Sequence, residues 1–252
     1  MKLESILQYL DDYLRIAEVP DYPGAHNGLQ VDGAPGHEVE RVAVAVDASE
    51  RVIQGAVADG ADLLIAHHGL FWDGSPTVVG PRYRKLRALL EGGVALYSAH
   101  LPLDAHPEVG NCAVLARALG LEPEGRFGDY KGAELGWWAT VDENREALRD
   151  RVAEVVGGPV RLIAGGPERA FRVAVVTGGA GSMIRDAAAA GIDTLITGEG
   201  AHHTYYEAME RGVNALYAGH YATEVWGVRA LAQHLQERFG LPWTFVDDPS
   251  GL

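Results

Sequence analysis

The stretch that decides the fold is RVAVAVDASERVIQGAVADGADLLIAHHG, residues Arg41–Gly69, because the chain contains it twice. It aligns without gaps on RVAVVTGGAGSMIRDAAAAGIDTLITGEG, residues Arg172–Gly200. Each copy has an apolar strand rich in β-branched residues, a helix that ends at glycine, and a second apolar strand at 63–66 or 194–197. Both copies therefore predict a βαβ unit.

The similarity continues downstream of both copies. EGGVALYSAH, which ends at His100, resembles ERGVNALYAGH, which ends at His220, and each reads as a further strand. Helices are predicted after them, at 111–119 and 225–235. We therefore predict an α/β protein of two topologically related halves, residues 1–125 and 126–252, with the binding site in the cleft that separates them.

Composition excludes several classes of protein. The chain has 252 residues, 47% of them hydrophobic, with 35 acidic residues against 21 Lys plus Arg and a formal net charge of −14. These values are typical of a globular protein and not of a disordered, collagen-like or coiled-coil chain. Because the charge repels phosphates and no cluster of Lys and Arg stands out, we expect no duplex nucleic acid as a partner.

The cysteine count and the N-terminal sequence indicate in which cellular compartment the protein is expected. Cys112 is the single cysteine, so neither an internal disulfide nor a cysteine-based zinc or iron–sulfur site can form. Acidic residues interrupt the apolar residues near the N-terminus, and no apolar run reaches the roughly 20 residues of a membrane span. We therefore expect a cytoplasmic protein without a membrane segment.

Histidines follow a predicted strand at the point where α/β folds place binding groups. His67 and His68 come directly after the strand at 63–66. Adjacent residues of an extended segment point to opposite sides, which suits two ions better than one. An isolated pair of this kind is more often an exposed loop feature.

The duplication favours metal binding over the interpretation of the histidine pair as an exposed loop feature. Four residues beyond His100 stands Asp104, and four beyond His220 stands Glu224. Each acid alone could cap a helix. Together with the histidine pair they supply the imidazole and carboxylate ligands of zinc, iron or manganese, and a carboxylate can bridge two cations. We therefore rank metal binding above capping.

Weaker candidates lie in the second copy. His203 follows the second strand of that copy. It either lines the cleft between the two halves or is a solvated residue at the start of a helix, and we give the two interpretations equal weight. Glu199 aligns on His68 and could support a ligand, contact substrate or begin a helix. TGGAGS, residues 177–182, lacks the lysine of a phosphate loop, so we expect it to serve loop geometry.

Taken together, these motifs resemble the GTP cyclohydrolase 1 type 2 homologue family, the Nif-three-like dinuclear-metal proteins, over nearly the whole chain. The resemblance rests on NGLQV (27–31), VAVAVDAS (42–49), HHGLFW (67–72), YSAHLPLDAHPEVGN (97–111), TGEGAHH (197–203) and GHYATE (219–224). It implies the Nif-three-like fold and a toroidal homohexamer. It also implies two divalent ions per chain, iron, zinc or manganese, with the ligands His67, His68, Asp104, His220 and Glu224.

In this resemblance Glu224 is the bridging ligand, and His100 lies in the site as a further ligand or a proton shuttle. The leading hypothesis is a metal-dependent hydrolase that acts on a small molecule such as a nucleotide or damaged nucleotide, with His100 or His203 moving protons. The alternative is a non-catalytic scaffold that handles metal or binds a partner. A catalytic site keeps a coordination position open, whereas a structural site fills it.

Overall fold

A computed structural model describes residues 1–33, 36–72 and 77–251. Within them the chain forms two compact units. The first unit is Met1–Leu103 with Gly227–Asp248, and the second is Asp104–Trp226 with Pro249–Leu252. The division at residue 125 follows the duplication and stays a prediction.

Strands and helices alternate along the described residues. The strands are β1 (Gly28–Val31), β2 (Val42–Asp47), β3 (Leu63–His68), β4 (Ala95–Ser98), β5 (Gly125–Tyr130), β6 (Ala133–Asn144), β7 (Arg161–Ala164), β8 (Arg169–Val175), β9 (Thr194–Thr197), β10 (Asn214–Tyr217) and β11 (Trp243–Phe245). The α-helices are α1 (Leu3–Tyr13), α2 (Glu50–Ala58), α3 (Gly80–Gly92), α4 (Leu101–Ala105), α5 (Asn111–Ala118), α6 (Arg145–Val156), α7 (Ile184–Ala189), α8 (His203–Arg211) and α9 (His220–Phe239). A 3-10 helix, Ala180–Met183, precedes α7.

The first unit contains a five-stranded sheet in the order β1-β4-β3-β2-β11. Strands β4, β3, β2 and β11 are parallel, and β1 runs antiparallel to β4. Because its parallel strands are covered on both faces, β2 is buried from Val42 to Val46 and reads as a continuous apolar run. Ser49 caps α2 by accepting a hydrogen bond from the backbone N–H of Val52 at 3.0 Å.

The second unit contains a six-stranded sheet in the order β5-β6-β8-β9-β10-β7. Its parallel strands β8, β9 and β10 repeat the order of β2, β3 and β4 in the first sheet. The predicted α/β class and both βαβ units are therefore confirmed. In each sheet the ends of three neighbouring parallel strands meet at one edge, where an α/β fold places its ligands.

Several element boundaries differ from the sequence expectation. Helix α9 begins at His220, five residues before the predicted start, so His220 and Glu224 lie one helical turn apart. Helix α5 ends at Ala118, one residue before the predicted end, and strand β3 extends to His68, two residues beyond the predicted end. None of the described helices combines the length and the apolar character needed to cross a membrane.

Candidate metal centre

Three histidines meet at the edge of the first sheet. His67 and His68 end β3, and His100 follows the neighbouring parallel strand β4. One ring nitrogen from each lies within 4.8 Å of the others. His67 is fully buried, and the other two are partly buried. The expectation that strand ends bring these side chains together therefore holds within the first unit.

In each of the three rings, Nδ1 lies within hydrogen-bond distance of a different oxygen atom. His67 donates from Nδ1 to the carbonyl oxygen of Ala99 at 2.9 Å. Nδ1 of His68 lies 2.9 Å from an oxygen of Asp47, and Nδ1 of His100 lies 2.8 Å from an oxygen of Asp21. With the proton on Nδ1, Nε2 carries the lone pair in each ring. This is the arrangement found around metal-binding histidines: one ring nitrogen binds the metal, and an oxygen that accepts the N–H of the other fixes the tautomer and the ring orientation.

The sheet and a surface loop position the two aspartates. Strands β2 and β3 run parallel in a register that pairs Asp47 with His68. Asp21 also accepts hydrogen bonds from the Asn27 side chain at 2.9 Å and the backbone N–H of Leu101 at 3.0 Å. Burial works to raise the pKa of Asp21, but the hydrogen bond and charge of His100 outweigh it and hold that pKa below its usual value. Asp21 is therefore ionised, and it accepts the hydrogen bond from Nδ1 of His100.

Two buried carboxylates lie in the second unit. Asp104 is 5% exposed and Glu224 is 2% exposed, and one carboxylate oxygen from each lies within 4.8 Å of the other. One oxygen of Asp104 accepts hydrogen bonds from the Asn111 side chain at 2.9 Å and the Thr177 hydroxyl at 3.0 Å. Two like charges this close and this dehydrated are unfavourable unless a cation lies nearby.

His220 is positioned in the same way as the histidines of the first unit. Its Nδ1 lies 2.7 Å from an oxygen of Glu199, and its Nε2 lies 3.2 Å from an oxygen of Glu224. The hydrogen bond that His220 donates to Glu224, the charge of that carboxylate and the contact with Glu199 outweigh burial and raise the pKa of His220 to about 9. Glu199 thus supports a histidine, which was one of the three roles left open for it.

The glycine-rich turn at 177–182 has a geometric role. Gly178 has a φ of +66°, and a Cβ there would overlap a carboxylate oxygen of Glu224. The same Cβ would lie 3.3 Å from Nε2 of His220. Only glycine allows the backbone to approach these two side chains so closely.

His203 occupies a separate position on the second unit. It begins α8 and lines an open recess of about 290 Å³ with Ser182, Arg185, Asp186, Thr204 and Glu207. Within the described ranges it forms no hydrogen bond, ion pair or ring contact. Its proposed part in proton transfer stays a prediction.

Sequence reasoning missed the oxygen partners of the histidines. Asp47 and Asp21 were not singled out, although the parallel β2 and β3 strands place Asp47 beside His68.

His106 is a buried histidine outside the candidate site. It is 6% exposed, and its Nδ1 accepts the backbone N–H groups of Glu108 and Val109 at 3.2 Å. It therefore stabilises the turn before α5.

The donor atoms of each unit fit a divalent metal. The first unit offers three imidazole nitrogens, and the second offers one imidazole and two carboxylates. Nitrogen and oxygen donors of this kind bind zinc, iron and manganese. The structure thus provides groups of side chains able to bind metal, as predicted.

Comparison with known proteins gives the family. A family model described as Duf34/NIF3 (NGG1p interacting factor 3) matches residues 1–250. The chain belongs to the Duf34/NIF3 family. This match confirms the resemblance inferred from the motifs over nearly the whole chain.

Duf34/NIF3 relatives cover the chain from end to end. A "GTP cyclohydrolase 1 type 2 homolog" of Deinococcus radiodurans is 42% identical over 99% of this chain and 94% of its own length. A protein of the same name from Pyrococcus abyssi is 43% identical and covers both chains completely. The crystal structure of TTHA1606 from Thermus thermophilus has a TM-score of 0.91 at 42% identity, with 100% of both chains covered.

Proposed function

We propose that the protein is a hydrolase that depends on two divalent metal ions. The observation that carries the proposal is the set of three imidazoles at the edge of the first sheet, each held at Nδ1 by an oxygen. Histidines with a purely structural role have no need for three such supports around one point. A metal ion makes use of them, because it needs rings with a fixed tautomer and direction.

The proposed ligands are His67, His68, Asp104, His220 and Glu224, with Glu224 as the bridge. Support for this assignment comes from the family motifs, the burial of both carboxylates and the close approach of Asp104 to Glu224. Iron, zinc and manganese all accept this ligand set.

When bound, such ions lower the pKa of a coordinated water to about 7 and polarise the bond to be cleaved. The chain's own residues prepare the site for that chemistry. Asp47 and Glu199 orient His68 and His220 through Nδ1. His100 is suited to move the proton, because its Nε2 can take one up while ionised Asp21 stabilises the resulting charge at Nδ1. His203 is a second candidate for this step.

The proposed substrate is a nucleotide or a related phosphorylated heterocycle. This follows the name that the curated relatives carry, GTP cyclohydrolase 1 type 2 homolog. We also propose a homohexamer in the cytoplasm, in keeping with the family resemblance and with the free, buried Cys112. Light scattering that gives a 27.0 kDa monomer at micromolar concentration would refute the hexamer.

The decisive experiment is metal analysis of anaerobically purified protein, followed by hydrolysis assays with iron, zinc and manganese on a panel of nucleotides. We expect two ions per chain and slow hydrolysis that increases between about pH 6 and 8 as metal-bound water ionises. His100→Ala should lose more activity than metal. If metal-replete protein hydrolyses no nucleotide and metal removal only lowers the melting temperature, a non-catalytic scaffold replaces the enzyme.

A further inference from the structure

Helix α3 carries four cations in a protein whose net charge is −14. Its sequence, GPRYRKLRALLEG, places Arg82, Arg84, Lys85 and Arg87 within six positions. This corrects the expectation that no cluster of Lys and Arg stands out, because the excess of acidic residues elsewhere masks it.

Two of the four cations are neutralised by neighbouring acids. Arg84 pairs with Glu50 of α2 at 2.8 Å, and Arg87 pairs with Glu91 at 2.8 Å. Both arginines are exposed. Exposed pairs of this kind contribute roughly 0–1 kcal/mol and describe an ordinary solvated helix face.

Arg82 and Lys85 differ from that pair in position and in partners. They are half-buried, one helical turn apart, on the side of α3 that also carries half-buried Leu86 and buried Leu89. Among residues 1–33, 36–72 and 77–251, no carboxylate forms an ion pair with either of them. Like charges three residues apart on a helix repel each other, so an anion between them would be stabilising.

Arg82 is linked to two of the three histidines of the first unit, His68 and His100, through Phe71 and Trp72. The Arg82 guanidinium lies 5.6 Å from the centre of the Phe71 ring. The next residue, Trp72, has its ring centre 5.5 Å from that of His68 and 4.7 Å from that of His100.

Lys85 follows Arg82 by three residues on α3, so the two side chains share one face of the helix. Burial and the charge of Arg82 lower its pKa, while the charges of Asp47 and Glu50 work to raise it. Asp47 is the acid that holds His68. The charge of Asp47 therefore acts on the ammonium group of Lys85, although the two side chains form no ion pair among the described residues.

We propose that Arg82 and Lys85 bind an oxyanion group, a phosphate or a carboxylate, of the molecule that reacts at His67, His68 and His100. This inference rests on the proposed function and adds to it the recognition of a charged substrate. A guanidinium and an ammonium together supply up to eight N–H donors, and charge-assisted hydrogen bonds to an oxyanion are the strong ones. With the guanidinium over Phe71, Arg82 has a fixed direction.

The test measures binding of inorganic phosphate and of acetate by calorimetry, on metal-replete and on metal-depleted protein. The double variant Arg82→Gln/Lys85→Gln is compared with Arg84→Gln/Arg87→Gln, which removes the same charge from the same helix. We expect phosphate affinity to fall at least about tenfold in the first double variant and to change less than about twofold in the second. Metal content should be unchanged in both, and Arg82→Lys, which keeps the charge but loses the guanidinium over Phe71, should weaken phosphate binding less than the double variant Arg82→Gln/Lys85→Gln does.

The possible outcomes separate the two proposals. Phosphate binding that depends on Arg82 and Lys85 in a protein that binds no metal would support the anion site and refute the metal-dependent function. Equal losses in both double variants would show a general charge effect and overturn the anion site, as would no loss in either. A loss confined to phosphate indicates a phosphorylated substrate, and a loss confined to acetate indicates a carboxylate. The melting curve of the single variant Lys85→Gln, compared with that of the unsubstituted protein, shows whether loss of this half-buried cation leaves the protein folded.

Discussion

Replacing Gly178 with alanine tests the positioning of Glu224 most directly. The backbone of Gly178 is left-handed, with a φ of +66°, which costs an alanine roughly 1–2 kcal/mol. The new Cβ would overlap a carboxylate oxygen of Glu224 and lie 3.2 Å from the carboxylate carbon. Overpacking of this kind typically costs a further ~1–3 kcal/mol. We expect a total loss of about 2–5 kcal/mol in the free energy of unfolding.

The same substitution should lower metal content. To relieve the overlap, the Glu224 carboxylate must move by roughly 1 Å, whereas metal–ligand distances tolerate only about 0.2 Å. Gly212→Ala is the matched control, because Gly212 has a φ of +69° and a Cβ there would meet no atom within 4 Å. Urea unfolding of both variants isolates the cost of the overlap, and metal analysis measures its effect on the site. Equal destabilisation with full metal content in both would refute the reasoning.

Three further predictions follow from the same geometry. Glu224→Gln should empty or scatter both proposed metals, whereas His68→Ala should weaken chiefly one, and equal single-ion losses in metal analysis would contradict the bridging role. Asp47→Ala removes the oxygen acceptor at Nδ1 of His68 and should weaken metal binding by about 10–100-fold, measured by competition with a chelator; unchanged affinity would show that the contact is incidental. Burial and the charge of Asp104 raise the pKa of Cys112 to about 12. We therefore expect its buried thiol not to react with a disulfide reagent at about pH 8 in the native protein and to react fully in guanidinium. Rapid reaction of the native protein would show that the segment around Cys112 opens.

Much of the fold could be predicted because the chain is duplicated and its apolar patterns agree with its topology. Strand β9 begins and ends at the predicted residues, and β3 extends the prediction by two residues, to His68. The strand ends then placed His67, His68 and His100 at one edge. Parallel pairing of buried, β-branched runs leaves few alternatives.

Features that depend on tertiary contacts could not be predicted in the same way. Asp21 and His100 are 79 residues apart in the chain, and no spacing along the sequence predicts the hydrogen bond that joins them. The start of α9 at His220 was missed, because glycine and the polar residues around it give no apolar periodicity. The pairing of Arg84 with Glu50 depends on which side of α3 faces α2, and no spacing along the sequence predicts it.

The origin of β11 has a consequence for biosynthesis. This strand pairs with β2, so Trp243 lies opposite Val42 across some two hundred residues of chain, while all six strands of the second sheet come from residues 125–217. A ribosome that has delivered the second sheet has yet to deliver the edge strand of the first. We therefore expect the later-made sheet to mature first during translation, with the earlier-made sheet held as an incomplete intermediate until β11 emerges. We therefore expect this protein to reverse the usual order of maturation, in which the N-terminal part of a chain folds first.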